Sequence, residues 1–193
     1  MPKLGMEPIR RDALVKATIA EIGAAGSLDV TVARIAKRAG MSSALAHHYF
    51  GGKDQILVAA MRHILTLFGA EVRGALAMAD TPRARIDAIV RASFSPANFR
   101  AETIGAWLAF YVQAQTSPEA RRLLAIYRRR MRSNLLAGFR PLVGDRAESA
   151  AETVGALIDG VYIRQALREG AMVRDDAVKL VEKCVTGLVG DGQ

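Results

Sequence analysis

Apolar residues along this chain recur at helical spacing. Leu14, Val15, Thr18, Ile19 and Ile22 fall at i, i+1, i+4, i+5 and i+8, with Arg11, Lys16 and Glu21 mostly elsewhere, which predicts one amphipathic helix. Gly26 ends it, because glycine can adopt the left-handed conformation that closes a helix. Thr31 then reads as an N-cap before Val32, Ile35, Ala36 and Ala39, a short second helix stopped by Gly40. Ser42 caps a third helix, halted by Gly51 and Gly52, and residues 54 to about 78 form a longer one with Ile56, Leu57, Ala60, Ile64 and Leu67 on one face. Beyond Asp80, breaks at Thr81-Pro82, Ser95-Pro96, Ser117-Pro118, 141–145 and 170–175 separate five longer helices.

No segment alternates in the way a half-buried strand would, and the 193 residues contain only 6 prolines to interrupt helices. The expected fold is all-α, with about nine helices. An N-terminal three-helix unit over 1–53 precedes a larger helical domain over 54–193.

Charge adds a direction. The net charge is +8, and half of that excess lies in the first third of the chain. A polyanionic partner suits such a head, although a solvated basic surface has the same composition. The single cysteine, Cys184, excludes an intrachain disulfide and fits a reducing compartment; its apolar neighbours make it a core thiol. No apolar run of a signal peptide opens the chain, and the apolar stretch 104–112 is too short to span a bilayer. These features point to a cytoplasmic protein with no membrane partner.

Two short helices joined by a four-residue turn containing Gly40 have the pattern of a helix-turn-helix. Ser42, Ser43, Ala44 and Ala46 are small enough to let the third helix approach the floor of a major groove. Ser42, Ser43, His47, His48 and Tyr49 can hydrogen-bond to base edges or phosphates. Tyr49 and Lys53 suit phosphates at the rim, with Phe50 as a core plug. The amides near Thr31 could hold another phosphate, and Arg34, Lys37 and Arg38 lie on the polar side of the second helix, where a solvated face is an equal reading.

The stretch TVARIAKRAGMSSALAHHYFGGKDQIL resembles the DNA-binding domain of TetR-type transcriptional regulators over roughly residues 8–60. That resemblance implies a homodimer whose recognition helices sit about 34 Å apart on a pseudo-palindromic double-stranded operator. It also implies phosphate contacts from Tyr49 and Lys53. MPKLGMEPIRR, WLAFY at 107–111 and ALIDGVYIR at 156–164 are similar to a choline-responsive branch of that family, repressors of glycine betaine synthesis, and imply choline as the effector. Regulators of efflux genes that sense other cationic or lipophilic ligands are the alternative within the family.

Choline's quaternary ammonium has no N–H, so aromatic faces, packing and negative charge must recognise it. Trp107, Phe110 and Tyr111 share one helical face, a spacing that by itself is more often a core cluster than a ligand site. Asp159 lies in an apolar helix with Tyr162 nearby, and a carboxylate there needs a cation. One such cation is the ligand's ammonium; another is Arg130, which interrupts the apolar arc of its helix and would be partly buried against Asp159 or Glu102. Residues 154–163, with Ala156 and Gly160 four apart, and the stripe Val178, Val181, Val185 and Leu188 are the expected dimer interface. Three histidines and one cysteine offer no metal cluster and no nucleophile–base pair, and no phosphate-binding glycine loop is present. No catalysis, metal or cofactor is expected.

Overall fold

The computed structural model describes residues 5–25, 30–167 and 173–190, and among these every regular element is helical. In order they are α1 (Met6–Ala25), α2 (Val32–Arg38), α3 (Ser43–Phe50), α4 (Lys53–Ala77), α5 (Pro82–Ser93), α6 (Ala101–Thr116) and α7 (Pro118–Val143). A 3-10 turn (Gly144–Arg146), α8 (Ala147–Ala166) and α9 (Arg174–Gly190) follow.

The short helices begin and end where local chemistry dictates. Thr31 Oγ1 accepts from the Arg34 amide at 3.2 Å and Ser42 Oγ from the Leu45 amide at 3.2 Å, each satisfying an amide with no intrahelical partner. Gly40 (φ +68°) and Gly51 (φ +83°) take the left-handed conformations that turn the chain after α2 and α3. Gly26 and the segment 168–172 lie outside the described residues. The expected break at 141–145 falls at Gly144 (φ +55°) rather than at Pro141 itself, which sits in the last turn of α7.

Contacts divide the chain into two compact units. The first comprises Met1–Ile64 and Ala101–Arg121, the second Leu65–Arg100 and Arg122–Gln193. Residues 54–64 and 101–121, grouped with the larger domain on sequence alone, therefore pack with the N-terminal helices. The reason is a close approach of α1 and α6. A Cβ on Gly23 would stand 2.5 Å from the Glu102 Cα, closer than real atoms approach.

The core of the first unit gathers Leu14, Ile22, Val30, Ile35, Ala46, Ile56, Leu57 and Ala109, with Met41, Tyr49 and Phe50 packed against it. Phe50 is thus a partly buried plug. In the second unit Ile86, Ile89, Phe94, Leu135, Phe139, Val154, Ile158, Val181 and Val185 are fully buried. By length and composition alone, α4 could cross a membrane, with a mean hydropathy of 1.3 over its most apolar window. It is a longer apolar stretch than 104–112, but Ile56, Leu57, Ala60, Met61 and Ile64 spend it on the protein core.

Candidate functional site

In the first unit, α3 is held by one buried face. Ala46 is wholly buried, which corrects its placing among the small residues that face a groove: it is the point where α3 rests on the core. Ser42, Ser43, Ala44, His47 and His48 are exposed, while Tyr49 and Lys53 are half-buried. His47 Nδ1 lies 2.8 Å from the Gly51 carbonyl and donates to it; this hydrogen bond leaves Nε2 as the outward nitrogen, an acceptor in the neutral ring.

Glu21 of α1 fastens α2. Its side chain is 8% exposed and lies 2.9 Å from Arg34 Nη2 and 2.5 Å from Arg38 Nε. The Arg38 hydrogen bond, opposed by desolvation and reinforced by the charges of Arg38 and Arg34, holds its carboxyl below the usual range. Arg34 stays half exposed but shares this carboxylate. Thr31 is exposed and acts as the α2 cap.

Sequence reasoning missed a second cluster on this unit. Arg10 Nη1 donates to the Tyr49 hydroxyl at 3.4 Å. Arg11 lies over the Tyr49 ring at 5.6 Å and the Phe50 ring at 5.1 Å. The available signal was the adjacent arginine pair at the start of α1, which periodicity alone assigns to a solvated face.

Trp107, Phe110 and Tyr111 do converge on α6, with Trp107 6.2 Å from Phe110 and 5.7 Å from Tyr111 between ring centroids. Trp107 and Phe110 are buried in the first unit. A cavity beside Phe110, also bounded by Ile22, Leu57 and Met61, measures only about 10 Å³, barely room for one water.

Asp159 and Tyr162 belong to the second unit. Tyr162 is buried, donates to the Ser93 carbonyl and stacks on Phe94 at 5.9 Å. Burial first, then the charges of Glu71 and Asp159, push its phenol far above the usual range, so it stays protonated and donating. Asp159 is half-buried, and its Oδ1 accepts from the Tyr127 hydroxyl at 3.4 Å. Both line a cavity of about 570 Å³ together with Glu152, Ala156 and Gly160, and with the arginines Arg128, Arg129 and Arg132 of α7 at its edge. Across α7, a second cavity of about 380 Å³ is walled by Phe68, Val72, Tyr127 and Met131, with the Phe68 and Tyr127 rings 6.0 Å apart.

Two expectations fail here. Arg130 is exposed rather than partly buried, because the residue of α7 that reaches Asp159 is Tyr127, three positions earlier and turned inward. Cys184 is half-buried rather than a core thiol, since Val181 and Val185 take the inner face of α9.

A capped, exposed recognition helix on a small helical head, joined to a larger helical unit with cavities, defines a helix-turn-helix regulator. Residues 14–60 match the bacterial regulatory proteins of the tetR family, and residues 82–190 match the BetI-type transcriptional repressor C-terminal domain. The HTH-type transcriptional regulator BetI of Brucella anthropi is 54% identical over 183 residues, covering 94% of each chain. The chain belongs to the TetR family of DNA-binding transcriptional regulators and carries a BetI-type repressor domain. Among solved structures, a Pseudomonas aeruginosa PAO1 protein assigned as a transcriptional regulator matches with a TM-score of 0.79 and 27% identity, over 95% of this chain and 91% of that one. A Saccharomonospora viridis protein, also assigned as a transcriptional regulator and solved in complex with choline, shares the fold with a TM-score of 0.76 at 22% identity, over 90% and 93% of the two chains.

Proposed function

We propose that the chain works as a homodimer in the cytoplasm, represses genes for glycine betaine synthesis from choline, and senses choline in its second unit. The carrying observation is the cavity of about 570 Å³ that presents the half-buried Asp159 carboxylate beside the Tyr127 phenol. A carboxylate and an aromatic wall are the two features a quaternary ammonium requires. The BetI relative at 54% identity and the choline complex of a protein with the same fold support the reading. Trp107, Phe110 and Tyr162 have packing partners of their own, so the proposal rests on Asp159 and Tyr127.

On DNA, the exposed Ser42, Ser43, Ala44, His47 and His48 of α3 enter the major groove, Tyr49 and Lys53 meet phosphates, and Thr31 and Arg34 flank the backbone. Ligand and DNA are linked. If choline fits a conformation whose recognition helices are wrongly spaced, each ligand weakens the other by the same factor, and about 1–3 kcal/mol of coupling suffices for a switch. α4, whose residues fall in both units, is the lever.

Calorimetric titration of the full chain with choline tests this, followed by release from a duplex carrying the region upstream of its own gene. Binding is expected to weaken at least tenfold in Asp159→Asn, about 1.4 kcal/mol or more. No heat with choline, or an unaltered Asp159→Asn, overturns the choline reading. Release by a bulky cationic dye but not by choline supports the efflux alternative.

A further inference from the structure

We propose that Arg10 and Tyr49 form a clamp for a backbone phosphodiester of duplex DNA, which extends the DNA-contacting surface from α3 onto the start of α1. The inference builds on the family's DNA binding but assigns a residue outside the helix-turn-helix. Arg10 donates to the Tyr49 oxygen at 3.4 Å. While the phenol oxygen accepts that bond, its own proton points away from Arg10. Two donors therefore face outward from one spot, the Tyr49 O–H and the remaining guanidinium N–H groups. The 3.4 Å separation is long for a hydrogen bond, and an anionic oxygen about 2.8 Å from each donor would complete a triangle on that edge.

The neighbouring side chains favour this role. Arg11, tied to Glu7 at 2.8 Å, lies over both the Tyr49 and Phe50 rings and so fixes the phenol in direction. His48, exposed on α3, has its ring 5.5 Å from that of Tyr49, which sets the clamp beside the groove-facing side chains. Charge distinguishes Arg10 from the other arginines of α1 and α2. Arg34 and Arg38 share the buried Glu21 carboxylate, Arg11 pairs with Glu7, and Arg10 has no acidic partner among the described residues. A half-buried guanidinium with no acidic partner among the described residues, next to an oriented hydroxyl, suits a tetrahedral oxyanion with two oxygens to share.

The test is a salt series of the full chain on two duplexes of unrelated sequence, read by fluorescence anisotropy. Each neutralised phosphate contributes about −0.9 to the slope of log K against log salt. Arg10→Ala removes one such contact from each head of the proposed dimer and should make that slope shallower by about 1.8 on both duplexes, so its deficit against the wild type should shrink roughly tenfold from 50 to 200 mM salt. Arg10→Lys should restore the slope, because the charge is kept. Tyr49→Phe should weaken binding in the wild type and cost less in the Arg10→Ala background, since the two donors serve one oxygen. Thermal melts of each variant separate unfolding from lost contact. An Arg10→Ala protein with the wild-type slope overturns the clamp, whether or not its affinity falls. Failure of the wild type to bind either duplex in dilute salt would sink the DNA reading along with it.

Discussion

Glu21 illustrates how much one side chain organises in this head. Its carboxylate is nearly buried and is held by Arg34 and Arg38, so the two arginines of α2 serve first as struts to α1. A buried acid with two cations is destabilising to break, because removing the negative charge leaves its partners facing each other. Its folded pKa is depressed, chiefly by the Arg38 hydrogen bond. The sign follows: the stabilisation is present above the unfolded carboxylate pKa and is lost as pH falls through the folded value. Glu21→Gln is therefore expected to melt below the wild type at neutral pH, and the gap between them should narrow in acid as the wild-type carboxyl protonates. A constant gap across that range, measured by thermal melts in a pH series, would mean the charge contributes nothing. Reading the sequence placed Glu21 off the apolar stripe of α1, whereas it is buried on the same face as Leu14 and Thr18, and could not pair it with arginines 13 and 17 positions away, because that pairing is made by the angle between two helices.

At the scale of elements, helices were legible wherever local chemistry decides them. Thr31, Ser42, Thr81 and Pro82 mark helix starts because caps and N-terminal prolines act within one turn. The break expected at 141–145 falls at Gly144 rather than at Pro141, because a proline in the final turn of a long helix disrupts only the local ladder and packing of Leu135, Leu136 and Phe139 carries α7 to Val143. Helix partnership is another matter. α6 reads as part of the larger domain by order along the chain, yet it packs on α1 through Gly23 and Glu102. Gly23→Ala is expected to force these helices apart at a cost of about 1–3 kcal/mol, measurable as a lowered denaturation midpoint with an unchanged slope. Unaltered stability would show that the contact relaxes freely.

At the scale of the whole molecule, the outward faces of α8 and α9 carry apolar groups that the chain itself does not cover. Ile163 is 39% exposed, Leu167 71% and Leu180 41%, and nothing lies within 4 Å of where a Cβ on Gly160 would stand. We propose that a second copy covers this surface, and because Ala156, Gly160 and Ile163 also line the Asp159 cavity, the partner's α8 crosses the mouth of that cavity rather than filling it. In an isologous interface each side chain counts twice, and burying a leucine-sized group contributes roughly 1.5–3 kcal/mol. The double variant Ile163→Glu, Leu167→Glu should thus weaken dimerisation by at least about two orders of magnitude. Sedimentation equilibrium reads this directly, and a wild-type chain that sediments as a monomer ends the proposal along with the operator geometry built on it.

By itself the sequence determined the all-helical class and the helix-turn-helix with its caps, because these follow from periodicity and chemistry within a few positions. Tertiary structure alone decided that Ala46 points inward, that Tyr127 rather than Arg130 meets Asp159, that α6 joins the head, and that Arg10 reaches Tyr49. Each of these depends on how helices distant along the chain are placed, and no local pattern of apolar and polar residues encodes that placement.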